Sequence, residues 1–248
     1  MIEAKIGKKR EKSVFREYFE LIVETAVFVF FVMTFVVQAF QIPTGSMETT
    51  LRVGDFLLVN KLVYAHTISS FEEKILPRKA IRRQDIVVFK YPEEPNKDFV
   101  KRVIGLPGDK LEIINKQVFI NDKPLDENYK RHIDSNTIYA MNFSEADWRQ
   151  GRYRTSANAP VDYRDNFGPI HVPPDDIFVM GDNRDNSYDS RYWALVPLTS
   201  VKGRPWVIYF SYDADTNTIL DPSIKARMRR FFSFITKARL GRMFKIIR

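Results

Sequence analysis

From Leu21 to Phe40 the chain is almost wholly apolar, and no charged residue stands between Thr25 and Met47. Twenty helical residues rise about 30 Å, roughly the hydrocarbon thickness of a bilayer. The run predicts one membrane-spanning helix over 21–41, ended by Pro43, which cannot continue a helix. Glu24 interrupts it only near its start, where a carboxylate reaches the interface. A basic arm, residues 1–20, precedes it. The positive-inside rule therefore puts that arm in the cytoplasm and everything after about residue 41 outside. The stretch is too long for the core of a cleavable signal peptide, and no A-x-A site follows it, so an uncleaved single-pass anchor is expected.

Beyond Pro43 the pattern changes to short β-branched and aromatic runs bounded by turn residues. These predict strands over Asp55–Asn60, Asp85–Tyr91, Phe99–Ile104, Asp176–Met180 and Trp206–Tyr212. Lys110–Ile114 and Gln117–Ile120 flank Asn115-Lys116 as a hairpin. Residues 126–170 are polar with weak periodicity and read as an insertion or a loop-rich subdomain. The body, 42–222, is expected to be mainly β and antiparallel, with its insertion at about 111–170. After it, Ile224, Met228, Phe231, Phe232 and Ile235 share one helical face, with arginines elsewhere. Met243, Phe244 and Ile247 form a second short stripe past Gly241. Residues 223–248 are thus expected to be a basic amphipathic tail, lying in a membrane interface first, with a helix packed on the body or a disordered basic tail as the other readings.

Composition alters this picture in two respects. There is no cysteine, which removes disulfide scaffolds, Cys-based zinc sites and thiol nucleophiles, and suits an oxidising compartment. The net charge of +8 invites a nucleic-acid partner until it is partitioned. Residues 1–20 carry +2, Glu24 puts −1 on 21–40 and 223–248 carry +9, leaving −2 on 41–222. A near-neutral body argues against a phosphate-binding face and against nucleic acid. Basic terminal segments suit anionic lipid.

Several catalytic templates fail. His66, His132 and His171 lie far apart with no metal spacing. No G-x-S-x-G elbow and no S-x-x-K occurs. Asp182–Asp189 has a calcium-loop look, but Arg184 occupies the third position. What remains is a constellation. In Thr44-Gly45-Ser46 a serine beside glycine can expose its hydroxyl and free its N–H, and Thr44 brings a second hydroxyl. In strand 99–104 Phe99, Lys101 and Val103 share a face. From the strand alone Lys101 reads first as a surface lysine snorkelling to water and second as a partly buried one; burial would lower its basicity, and a neutral amine is a general base that needs no histidine. Finally, Phe178–Trp193 packs acids, amides, Arg184, Arg191, Ser187 and Ser190 into one turn-rich segment, suited to a hydrogen-bonded scaffold.

In this order behind an anchor, these elements resemble bacterial type I signal peptidase, the leader peptidase family with a Ser/Lys dyad. Four blocks carry the resemblance: Pro43–Val59, Gln84–Pro92, Phe99–Asp109 and Met180–Arg191. It implies Ser46 as nucleophile, Lys101 as unprotonated base, and the Ser46 N–H with the Thr44 hydroxyl as oxyanion hole. It implies that Ser187 orients the Lys101 amine, that Asp182, Arg184, Asp189 and Arg191 hold the site by hydrogen bonds and ion pairs, and that Met47 packs beside the nucleophile. It further implies a coiled antiparallel β body with a small inserted β subdomain, no cofactor or metal, and a bacterial cytoplasmic-membrane enzyme with its catalytic domain outside. The implied substrates are secretory pre-proteins with small residues at −1 and −3. The family often has Ser at Thr44, Pro at Thr49 and Gly at Gln84. Two other readings remain open: a self-cleaving Ser/Lys protease, for which Ala157-Asn158-Ala159 is a poor internal site, and a non-catalytic tethered binding module. The module requires Lys101 exposed, or Ser46 out of its reach.

Overall fold

The apolar run is shared between a helix and a strand. In a computed structural model, which describes residues 13–64, 79–138, 143–150 and 163–247, helix α1 spans Val14–Phe31 and continues as a π-turn over Val32–Val36. Strand β1, Val37–Gln41, follows immediately. Ser13 caps α1 by accepting from the Arg16 N–H at 3.3 Å, so the helix begins ahead of the expected Leu21. Val14–Val36 covers 23 residues with none buried, about 34 Å of helix. The expectation that 21–41 is helical up to Pro43 is corrected at its end. A uniformly apolar run has no period to separate helix from strand. Here the backbone of 37–41 is claimed by β2, Asp55–Asn60, in antiparallel register from Val37↔Asn60 to Gln41↔Phe56.

The body is a curled antiparallel sheet. Its further strands are β3 (Ile86–Lys90), β4 (Asp98–Gly105), β9 (Asp176–Met180), β10 (Val196–Pro197), β11 (Val201–Ser211) and β12 (Lys245–Ile246). The order is β1-β2-β11-β3-β4-β9-β10, with β12 on β11. β11 starts at Val201, ahead of the predicted Trp206, because Val201 and Gly203 pair with β3 before the strand turns to β2. A smaller sheet, β7-β6-β5-β8, combines β5 (Lys110–Ile114), β6 (Gln117–Ile120), β7 (Lys123–Pro124) and β8 (Phe167–His171). The β5–β6 turn holds Asn115 and Lys116 at positive φ, as a tight two-residue hairpin requires.

The region 126–170 is less irregular than its composition suggests. It supplies β8, which pairs with β5, and the short helix α2, Glu145–Arg149. Fully buried Trp148 on α2 packs with Phe167 and Phe178, joining the small sheet to β9 in one core. Its indole N–H donates to the Ser190 carbonyl at 3.0 Å, on helix α3, Ser190–Trp193. A second core lies around Val87, Phe89, Val103 and Val179. A third gathers Ile42, Met47, Leu51, Leu57, Ile86, Ile208 and Ile247.

After helix α4 (Thr216–Leu220), helix α5 spans Ile224–Thr236. The second stripe expected at 243–247 is not helical. Residues 244–247 run along β11, with the Phe244 N–H on the Ile208 carbonyl and the Ile247 N–H on that of Trp206. The expected tail, 223–248, is therefore corrected: its latter half folds back as part of the body, because buried Ile247 joins the third core. Residues 1–12 of the basic arm, His66 and Ala157–Ala159 lie outside the described residues.

Candidate active site

Ser46 sits on a single helical turn, Gly45–Met47, directly after β1 and an extended Thr44. The turn is held from below by Met47, whose side chain is buried in the third core. It is held from the side by Asn183, whose N–H donates to the Ser46 carbonyl at 3.1 Å and whose amide donates to the Gly45 carbonyl at 3.2 Å. Lys101 lies on β4 opposite Val87. Its side chain reaches Ser46, with Nζ 2.6 Å from Oγ, and the residue is only 4% exposed. Burial pulls the amine down from 10.5 to about 8, against the pull of the Asp189 and Asp182 carboxylates. Burial does not alternate at this end of β4, where Lys101 to Gly105 are all buried, so the burial of Lys101 comes from the body closing over both faces of the strand.

Arg102, its neighbour, points the other way and was missed by sequence reasoning. Its Nε and Nη2 meet the two Asp182 oxygens at 2.8 and 2.7 Å, with both residues buried. Thr50 joins this pair, donating from Oγ1 to Asp182 at 2.5 Å. Arg184 pairs instead with buried Glu127, a residue without any motif and 57 positions away in sequence. Asp189 accepts from the Gly181 N–H at 3.0 Å and pairs with Arg191 at 2.8 Å. Burial pushes the Asp189 carboxyl up, but Arg191 beside it holds it below the usual carboxylate value. The loop 181–191 is therefore a buried lattice of charge-assisted bonds with three oppositely charged pairs, each costly to leave half-made.

Ser187 departs from expectation. Its Oγ is buried without a hydrogen-bond partner, and the bond to Lys101 is not made. The hydroxyl lies against the backbone of Gly181. A Cβ there would sit 2.2 Å from Ser187 Oγ and 2.4 Å from the Ser46 carbonyl oxygen. Gly181, which sequence reasoning also missed, is the position that lets this loop close on the Gly45–Met47 turn. Two family departures have a backbone basis. Gln84 stands at φ 73°, the left-handed region that glycine occupies freely. Thr49 stands at φ 105°, where proline cannot be.

Ser46 and Lys101 open onto a cleft of about 400 Å³, whose wall includes Phe40, Ile42, Thr44, Phe99 and Tyr188. A hydroxyl in contact with an amine of lowered basicity, at the floor of an apolar cleft, is equipped for acyl transfer. The neutral amine can take the hydroxyl proton as oxygen attacks a carbonyl carbon. Both requirements of a non-catalytic module, an exposed lysine or a distant serine, fail here.

The site holds the parts a serine hydrolase needs, and sequence comparison shows the family. The chain belongs to the signal peptidase family, peptidase S26, whose profile matches residues 15–210. It is 32% identical over 228 residues to a signal peptidase I of Pseudomonas aeruginosa, covering 84% of this chain and 77% of the relative. A signal peptidase I of Aquifex aeolicus is 34% identical over 221 residues, covering 74% and 79%. A crystal structure of a signal peptidase I from Enterococcus faecalis is 30% identical, covers 51% of this chain and 97% of its own, and superposes with a TM-score of 0.35. As a family member the protein is a serine peptidase that removes signal peptides from secretory pre-proteins.

Proposed function

We propose that cleavage proceeds through a Ser46–Lys101 dyad and an acyl-enzyme. The observation that carries this is the 2.6 Å contact between Ser46 Oγ and the buried Lys101 amine. The neutral amine takes the Ser46 proton while Oγ attacks the scissile carbonyl, and the tetrahedral oxyanion is met by the Ser46 N–H and the Thr44 hydroxyl. The amine then delivers its proton to the leaving nitrogen. Lys101, neutral again, takes a proton from water, which hydrolyses the ester. Asp182, Arg184, Asp189 and Arg191 hold the walls, and Met47 holds the turn from beneath. No cofactor enters this scheme.

An extended substrate presents alternate side chains to one wall. Residues −1 and −3 would therefore face the same side of the cleft beside Phe99 and Ile42, which suits small side chains there. The apolar, wholly unburied α1 supports a single span of the cytoplasmic membrane, with the basic arm inside and the body outside. Ser46 then works close to the bilayer surface, where a signal peptide's end emerges. The exposed Ile224, Met228, Phe231 and Phe232 on α5 support interfacial contact with lipid. The test is cleavage of a pre-protein by the full chain in detergent: Ser46→Ala and Lys101→Ala should each abolish processing while keeping the β-rich circular dichroism of the wild type. Normal processing by either variant would overturn the dyad.

A further inference from the structure

The nucleophile turn is gripped from a direction that none of the four sequence blocks contains. The segment 239–247 runs under the 42–55 loop and contacts it at three places. Arg242 pairs with buried Asp55 at 2.5 Å and donates from Nη2 to the Thr50 carbonyl at 3.1 Å. Arg239 donates to the Val53 carbonyl at 2.6 Å and pairs with Asp55 at 3.4 Å. Ile247 enters the same core as Ile42, Met47 and Leu51.

These contacts lead to the reacting atoms by short routes. Thr50, whose carbonyl Arg242 holds, donates its hydroxyl to Asp182 at 2.5 Å and accepts from Arg102 at 3.2 Å. The Thr50 and Leu51 N–H groups both donate to the Met47 carbonyl, at 3.1 and 2.9 Å. Met47 directly follows Ser46, and its buried side chain packs in the Ile247 cluster. On the far side, only Asn183 of the 181–191 loop bonds the Gly45 and Ser46 carbonyls. The turn bearing Ser46 is thus clamped between the Asn183 loop and the segment 239–247.

We propose that Arg242 and Ile247 are positioning residues for catalysis: they hold the Ser46 turn at the depth where its hydroxyl meets the Lys101 amine. The proposal rests on Ser46 being the nucleophile. Without this support Met47 loses one packing neighbour and the Thr50 carbonyl its Arg242 donor, and the turn is free to drift from Lys101 while Phe40 on β1 and Phe99 on β4, which also line the cleft, stay in place. Displacements of about 1 Å at a reacting group cost up to about 100-fold in rate. The signature is therefore a loss in kcat with KM preserved.

The experiment compares the full chain in detergent with Ile247→Ala, Ile247→Val, Arg242→Gln, Arg242→Lys and Lys245→Gln, on a synthetic signal-peptide substrate, well below each variant's own Tm. Ile247→Ala and Arg242→Gln should lower kcat by about 10- to 100-fold with KM within about twofold. Ile247→Val and Arg242→Lys should recover part of the loss. Lys245→Gln, at an exposed position of the same segment, should match the wild type. If Ile247→Ala does not fold, a graded kcat loss in Ile247→Val and Arg242→Lys carries the same information. Unchanged kcat with a lowered Tm would reduce the segment to a stabilising role and overturn the proposal, as would a change in KM alone. Ser46→Ala is measured alongside: its full activity would refute the nucleophile, whereas its inactivity with normal kcat in the positioning variants would refute only the clamp.

Discussion

Burial takes the Lys101 amine from 10.5 to about 8, so at pH 7 about a tenth of the molecules hold it neutral. In the proposed dyad the base works only without its proton, so the sign is fixed: activity rises with pH. The profile of kcat/KM should climb through an acid limb with an apparent pKa near 8, since that parameter reports the free enzyme. A limb near 6.5 would point to a histidine and against Lys101. The face of this lysine was legible in the sequence, because strands alternate and Phe99 and Val103 flank it, but its burial was not: the strand alone suits a surface lysine as well. Arg102 was equally determined by that alternation, but its partner Asp182 lies 80 positions away. The Glu127–Arg184 pair was not legible at all. Nothing near Glu127 in sequence marks it as buried, and only the folded insertion brings it to the loop.

At the level of elements, the informative correction is the end of the apolar run. α1 and its π-turn stop at Val36, and β1 is hydrogen-bonded along its whole length to β2. Two truncations should therefore behave differently. A chain starting at Val37 keeps β1 and should fold, cleave a soluble peptide and lose stable membrane residence. A chain starting at Ile42 leaves β2 without its edge partner and unseats the strand that leads into the Ser46 turn. It should lose several kcal/mol of stability, since the ladder of five β1–β2 residue pairs goes and each hydrogen bond exchanged for water costs about 0.5–1.5 kcal/mol. Chemical denaturation of the two truncated forms checks this, and equal midpoints would contradict it. β8 was hidden for a related reason. Gly168-Pro169 breaks its pattern, and its strand character comes from pairing with β5.

For the molecule as a whole, the charge partition that excluded a phosphate-binding body also bears on where the body rests. α5 carries exposed apolar residues among its bases, while Arg239 and Arg242 are spent on Asp55. Of the tail's charge, then, only part is available to lipid. The body lacking residues 1–36 should float with vesicles rich in anionic lipid and be released as salt rises, because such attraction fades within a Debye length. Its absence from the vesicle fraction at low salt would remove the interfacial role of α5. What the sequence alone determined was whatever depends on neighbours along the chain: an apolar segment, alternating strands, a hairpin turn, and a serine and a lysine of suitable type. The tertiary structure decided which backbone the end of the apolar run would pair with, which charges would meet across long separations, and which segment would pack against the 42–55 loop. Those outcomes depend on packing and hydrogen-bond satisfaction between residues distant in sequence, which no local pattern encodes.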